Sequence, residues 1–171
     1  MPGSLRHLAG RFFDVLSSKP LSAAETAAVR GWLTPAEAGV FFSQPTADQR
    51  HGYHAATIVD DAGERDLAVL RAALLHDIGK RHARLGVIGR TFASLLIRFR
   101  LPLTAKARLY RGHGELAAEE LEQMGCETLV IEFARHHHGA RPDVVPPATW
   151  DLLQLADEPP KTRTSARARI T

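Results

Sequence analysis

His76 and Asp77 stand side by side in L-L-H-D-I-G-K (74–80), at the end of an apolar helical pattern. Burying charge without a partner is costly, so two adjacent ionisable groups on a core helix need others to meet them. Candidates recur along the chain: His51 and His54 in one helix, His113 before a helix start, His136, His137 and His138 at a helix end, and Asp157 after the apolar run L-L-Q-L-A. Imidazole and carboxylate together suit Zn, Fe, Mn and similar divalent ions. The set exceeds what one tetrahedral ion takes. Two neighbouring ions would use it, sharing a bridging hydroxide whose pKa they lower and holding both sides of an in-line attack on phosphorus. Asp77 is the natural bridge, because a carboxylate has two oxygens.

These residues must be carried by helices. Leu67, Leu70, Leu74 and Ile78 repeat at helical spacing and predict a helix over 65–78 that Gly79 ends. Capping-box spacings at Ser22/Glu25, Thr34/Glu37 and Thr46/Gln49 predict helix starts there. The pattern predicts further helices over 5–17, 22–32, 35–42, 47–61, 91–99, 104–110, 114–124, 127–138 and 149–157. The loop R-P-D-V-V-P-P-A (141–148) holds three prolines and is read as non-helical. No strand, repeat or second domain is expected. The fold class is therefore all-α, a single bundle of seven to nine helices. Residues 1–45 form short N-terminal helices packed on a core of 46–158, and 159–171 form a basic, disordered tail.

At 171 residues the chain can bury a sizeable core, and 44% hydrophobic with 24% charged residues is ordinary for a globular protein. The single cysteine, Cys126, excludes an internal disulfide and a Cys-rich zinc site, and suits a cytoplasmic location. No stretch reaches the roughly 18 apolar residues of a membrane span. The net charge of +3 conceals a block from Lys80 to Gly112 without any Asp or Glu, carrying Lys80, Arg81, Arg84, Arg90, Arg98, Arg100, Lys106, Arg108 and Arg111. It is read as a solvated face with a share in attracting phosphate. Peripheral contact with anionic lipid through residues 84–111 is a second reading, since L-L-I-R-F-R-L is amphipathic. Nucleic-acid binding lacks an aromatic stacking pattern and is unsupported.

The motifs D-Q-R-H (48–51), L-L-H-D-I-G-K (74–80), G-H-G-E-L-A-A-E-E-L (112–121), F-A-R-H-H-H (133–138) and L-A-D-E (155–158) come in the order His, His-Asp, His, His-His, Asp. Over residues 46–158 the chain resembles the HD-domain metal-dependent phosphohydrolases, in the branch marked H-D-I-G. The resemblance implies an HD-type helical bundle and two divalent metal ions (Fe, Mn, Zn, Ni or Mg), with room for a third. It implies the ligands His51, His76, Asp77, His113, His137, His138 and Asp157, with His54 the rival of His51 and the His136–His138 register open by one. Asp77 and Lys80 would be catalytic, and Lys80 and Arg81 would hold a substrate phosphate. The implied substrate is a nucleotide, cyclic nucleotide or other small phosphoester. Two features depart from relatives: Gly114 stands where an H-P-E-x-G-A pattern has proline, and H-G-A-R-P-D follows the histidines where the cyclic-di-GMP branch has G-Y-P. A di-iron HD-type oxygenase fits the same ligands, and a non-catalytic regulatory module is the third reading.

Overall fold

Ser22 and Thr34 start the first two helices through reciprocal caps. The Glu25 N–H donates to Ser22 Oγ at 3.3 Å and the Ser22 N–H to Glu25 Oε2 at 2.6 Å. Thr34 and Glu37 repeat the arrangement at 3.3 and 2.7 Å. They open α1 (Ala23–Trp32) and α2 (Pro35–Phe42), matching the predicted spans to within a residue. The third expected capping box, Thr46 with Gln49, does not form. Pro45 occupies the cap position of α3 (Thr46–Asp61), which puts Thr46 inside the helix. Gln49 Nε2 instead donates to the carbonyls of Gln44 at 2.7 Å and Phe42 at 3.2 Å, tying α3 to the end of α2.

The computed structural model describes residues 19–158. The predicted helix 5–17 and the tail 159–171 lie outside the described residues. Among the described residues there are nine α-helices and no strand, as the all-α expectation requires. After α3 come α4 (Leu67–Leu75), a 3-10 turn (Ile78–Ala83), α5 (Val87–Arg98), α6 (Ala105–Arg111), α7 (His113–Gln123), α8 (Thr128–His136) and α9 (Pro147–Asp157). Three boundaries correct the sequence reading. The helix expected over 91–99 already starts at Val87. The helix expected over 65–78 ends at Leu75, and the chain tightens into the 3-10 turn. Pro147 and Ala148, assigned to a non-helical loop, open α9, because proline fits the first helical turn, where no N–H partner is needed.

α4 is the central post. Leu70, Leu74 and Leu75 are buried, and α3, α8 and α9 pack around it, with α1 and α2 against its outer side. Phe41, Ile78, Leu121, Phe133 and Leu153 complete one continuous core, and each such side chain contributes about 1.5–3 kcal/mol by leaving water. The α5–α6 hairpin has a separate small cluster of Ala93, Leu96 and Ala107. No described helix is long and apolar enough to cross a membrane.

Gly79 serves close approach rather than helix termination. A Cβ there would lie 2.0 Å from the His113 carbonyl oxygen and 2.8 Å from the Ala117 nitrogen. The 3-10 turn after α4 can therefore press against the first turn of α7, bringing the His76–Asp77 pair to His113. Gly114 does the same between α7 and α8: a Cβ would lie 2.8 Å from the Ala134 carbonyl oxygen. Gly114 is thus a contact with the helix that presents His137.

Candidate metal centre

Four helix ends and one mid-helix position deliver the polar residues to one place. α3 supplies His51, the end of α4 supplies His76 and Asp77, the start of α7 supplies His113, the end of α8 supplies His137 and His138, and the end of α9 supplies Asp157. Asp77 lies in the middle. Its Oδ2 faces His51 Nε2 at 3.6 Å and His76 Nε2 at 3.5 Å. Its Oδ1 faces His113 Nε2 at 3.2 Å and His137 Nε2 at 3.5 Å. Asp157 Oδ1 lies 2.9 Å from His51 Nε2 and 3.2 Å from His76 Nε2. The ring of His138 stacks 3.9 Å from that of His137 and lies 5.1 Å from that of His113.

The tautomers follow from the backbone. His76 Nδ1 lies 3.0 Å from the Ala73 carbonyl, His113 Nδ1 2.7 Å from that of Tyr110, and His137 Nδ1 2.8 Å from that of Ala134. A carbonyl only accepts, so each Nδ1 is the donor and each ring turns its Nε2 inward, where it offers a lone pair once that nitrogen carries no proton. His113 and His137 then bring two lone pairs within 3.3 Å of each other, beside Asp77 Oδ1. That oxygen is buried and makes no hydrogen bond. Lone pairs and an unpartnered carboxylate oxygen converging in a buried space fit a cation. Three donor groups could hold one: Asp77, His113, His137 and His138; His51, His76 and Asp77; and His76, His137 and Asp157, each with donor atoms within 4.8 Å of one another.

Electrostatics sharpen the picture. Burial pushes the His76 imidazole down, but the carboxylates of Asp77 and Asp157 more than reverse this and bring its pKa to about 9. Burial would raise both aspartates, yet Lys80 and His76 hold Asp77, and His76 and His51 hold Asp157, well below the ordinary carboxylate range. Partial desolvation, with His137 and His113 alongside, lowers the pKa of His138 although this residue reaches solvent, so its ring is neutral and keeps a lone pair at neutral pH.

Seven of the expected ligands thus converge. The rivals do not: His54 is exposed, and His136 turns to Glu132 at 3.5 Å. Lys80 Nζ pairs with Asp77 Oδ2, and the net effect of burial opposed by Asp77 keeps its pKa raised. Arg81, expected beside it at the phosphate, pairs with Glu120 and donates to the Ile78 carbonyl at 2.9 Å. Sequence reasoning missed two supports. Arg90 grips Asp48 through two bonds of 2.5 and 2.7 Å, fastening α5 to α3 one turn before His51. Gln154 Nε2 donates to the His137 carbonyl at 2.7 Å. The available signal was spacing: Asp48 precedes His51, and Gln154 precedes Asp157, by three residues on the same helix face.

The fold and the donor set together define an all-helical bundle built around a histidine–aspartate centre suited to metal. The family model for the HD domain matches residues 50–170, and the chain belongs to that family, whose members are mostly metal-dependent phosphohydrolases. Neither the curated proteins nor the solved structures give a match.

Proposed function

We propose that the protein is a two-metal phosphohydrolase of the H-D-I-G branch, acting on a nucleotide, cyclic nucleotide or other small phosphoester. The observation that carries this is the position of Asp77, with one oxygen toward His51 and His76 and the other toward His113 and His137. His51, His76, Asp77 and Asp157 would hold one ion, and Asp77, His113, His137 and His138 the other. Bound there, divalent ions supply the charge that polarises a phosphoryl group and lowers the pKa of water. The chain's own residues do the rest. The backbone carbonyls of Ala73, Tyr110 and Ala134 fix three rings with Nε2 inward, so little reorganisation is needed on loading. Lys80, nearly buried and cationic, stands at the Asp77 edge of the site and can meet a phosphate oxygen.

Metal content by mass spectrometry should show about two ions per chain, the number that the ligand count of a two-metal site requires. Activity on a panel of phosphomonoesters and cyclic dinucleotides should vanish in Asp77→Ala. Iron with an oxygen-dependent activity, and none on phosphoesters, would move the reading to a di-iron oxygenase. Full metal loading with neither activity would favour a regulatory module. A chain that carries no metal as purified and takes up none on reconstitution would refute every reading of this site.

A further inference from the structure

We infer that the α5–α6 hairpin is a docking surface for an anionic lipid bilayer. Five of the eight large hydrophobic side chains exposed among the described residues lie on it: Ile88, Phe92, Phe99, Leu101 and Leu109 on the hairpin, against Leu67, Val144 and Leu155 elsewhere. Three of them are aligned. Ile88 and Phe92 fall, with half-buried Leu95, at i, i+4 and i+7 on one side of α5, and Phe99, the residue that caps the helix, follows at i+11 in the same register. They are 78%, 56% and 61% exposed, so this is an open stripe and not a core edge. The opposite side of α5 is already satisfied, because Ala93 and Leu96 bury against Ala107 of α6. Single exposed hydrophobics are commonplace, but an aligned stripe marks a surface that something covers.

The charges say what covers it. Arg84, Arg98, Arg100, Lys106, Arg108 and Arg111 are exposed, and among the described residues none pairs with a carboxylate. Arg98 also lies over the Phe99 ring, at 6.0 Å. Aromatic and aliphatic residues on one helix side, with unpaired arginines beside them, are the composition of a helix lying in a bilayer interface. A second copy of the chain would bring the same positive charges and be repelled. A nucleic acid would neutralise the arginines and leave Ile88, Leu101 and Leu109 in water.

The full chain can be sedimented with vesicles of phosphatidylcholine alone and of equimolar phosphatidylcholine and phosphatidylglycerol. Binding is expected only to the anionic vesicles, weakening as salt rises. Phe92→Ser/Phe99→Ser and Arg98→Glu/Lys106→Glu should each weaken it by about tenfold or more. All four side chains are exposed, so circular dichroism and melting should be unchanged. The basic tail (161–169) is present in every protein, so a loss belongs to the hairpin. Three results would overturn the inference: no binding to anionic vesicles, wild-type binding by both variants, or equal binding to phosphatidylcholine alone. A dimer abolished by Phe92→Ser/Phe99→Ser, or tight single-stranded RNA binding without vesicle binding, would overturn it in favour of those partners. Vesicle binding requires no metal, so its failure leaves the hydrolase proposal untouched.

Discussion

Replacing Gly79 with alanine tests whether backbone contact sets the metal centre. The added Cβ would stand 2.0 Å from the His113 carbonyl oxygen, where ordinary contact begins near 3.4 Å. The turn after α4 and the start of α7 must therefore separate by about 1 Å or more. Neither partner is a flexible side chain, so the strain cannot be relieved by a rotamer change; overpacking of this kind costs about 1–3 kcal/mol. The same separation moves His113 Nε2 away from Asp77 Oδ1, now 3.2 Å distant, and opens the donor group shared with His137. A misplacement of about 1 Å costs on the order of 100-fold in rate. The expected outcome is a protein that still folds and melts lower and, on the two-metal proposal, holds about one ion instead of two, with activity down about 100-fold. Gly31→Ala is the control, because nothing lies within 4 Å of its added Cβ, and it should be neutral or stabilising by up to about 1 kcal/mol. Melting curves, metal analysis and phosphoesterase assays on both variants decide it. A Gly79→Ala protein with full metal content and wild-type melting would refute the claim that this glycine positions the site.

Three further outcomes follow from the centre. In chelated protein, His76 has its pKa raised from 6.5 to about 9, so its contribution is complete below 6.5, erodes as pH rises and is gone above 9. The fall is on the order of 3 kcal/mol. Melting of the chelated chain across that range should show it, whereas a metal-loaded chain, in which the ion replaces the proton, should not; identical profiles would contradict the assignment. His138→Ala should lower metal affinity while His136→Ala leaves it unchanged, as read by competition with a chromogenic chelator; the reverse result would shift the ligand register by one. Arg90→Ala should destabilise by about 3 kcal/mol, because it strands buried Asp48, and Arg90→Met/Asp48→Asn should lose less. Chemical denaturation measures both, and an equal loss in the double variant would count against a buried-pair origin.

Of the residues that converge, His76, Asp77 and Asp157 were legible in the sequence because ionisable groups stand out beside apolar helical runs, whereas His51 and His113 were singled out only by the order of the motifs. Their supports were not. Arg90 reads as one more member of a basic block, and only the packing of α5 on α3 reveals that it is matched by Asp48. The block is thus divided: Lys80, Arg81 and Arg90 pair inward, while the charges from Arg98 onward are left to solvent. Local chemistry also misled at Gly79, whose obvious role at a helix end is left-handed backbone; its actual role depends on a helix that begins more than 30 residues later. Pro147 misled in the opposite direction, since a proline that forbids a helix interior favours its first turn.

Why the candidate ligands gather at helix ends has a physical answer in this chain. The last carbonyls of a helix have no N–H four residues on to receive. His76, His113 and His137 each sit three residues beyond such a carbonyl, at the ends of α4, α6 and α8, and each donates Nδ1–H to it. One bond does two things. It satisfies a backbone acceptor that burial would otherwise leave bare, and it fixes the ring with Nε2 pointing away from its own helix. Three helices ending around one point therefore aim three Nε2 atoms at that point without any loop to shape it. What this arrangement cannot satisfy internally is the carboxylate among them: Asp77 Oδ1 faces two of those nitrogens and bonds to neither. The helix ends satisfy their own backbone acceptors and leave one buried carboxylate oxygen without a hydrogen-bond donor at the centre, a position that a cation can fill.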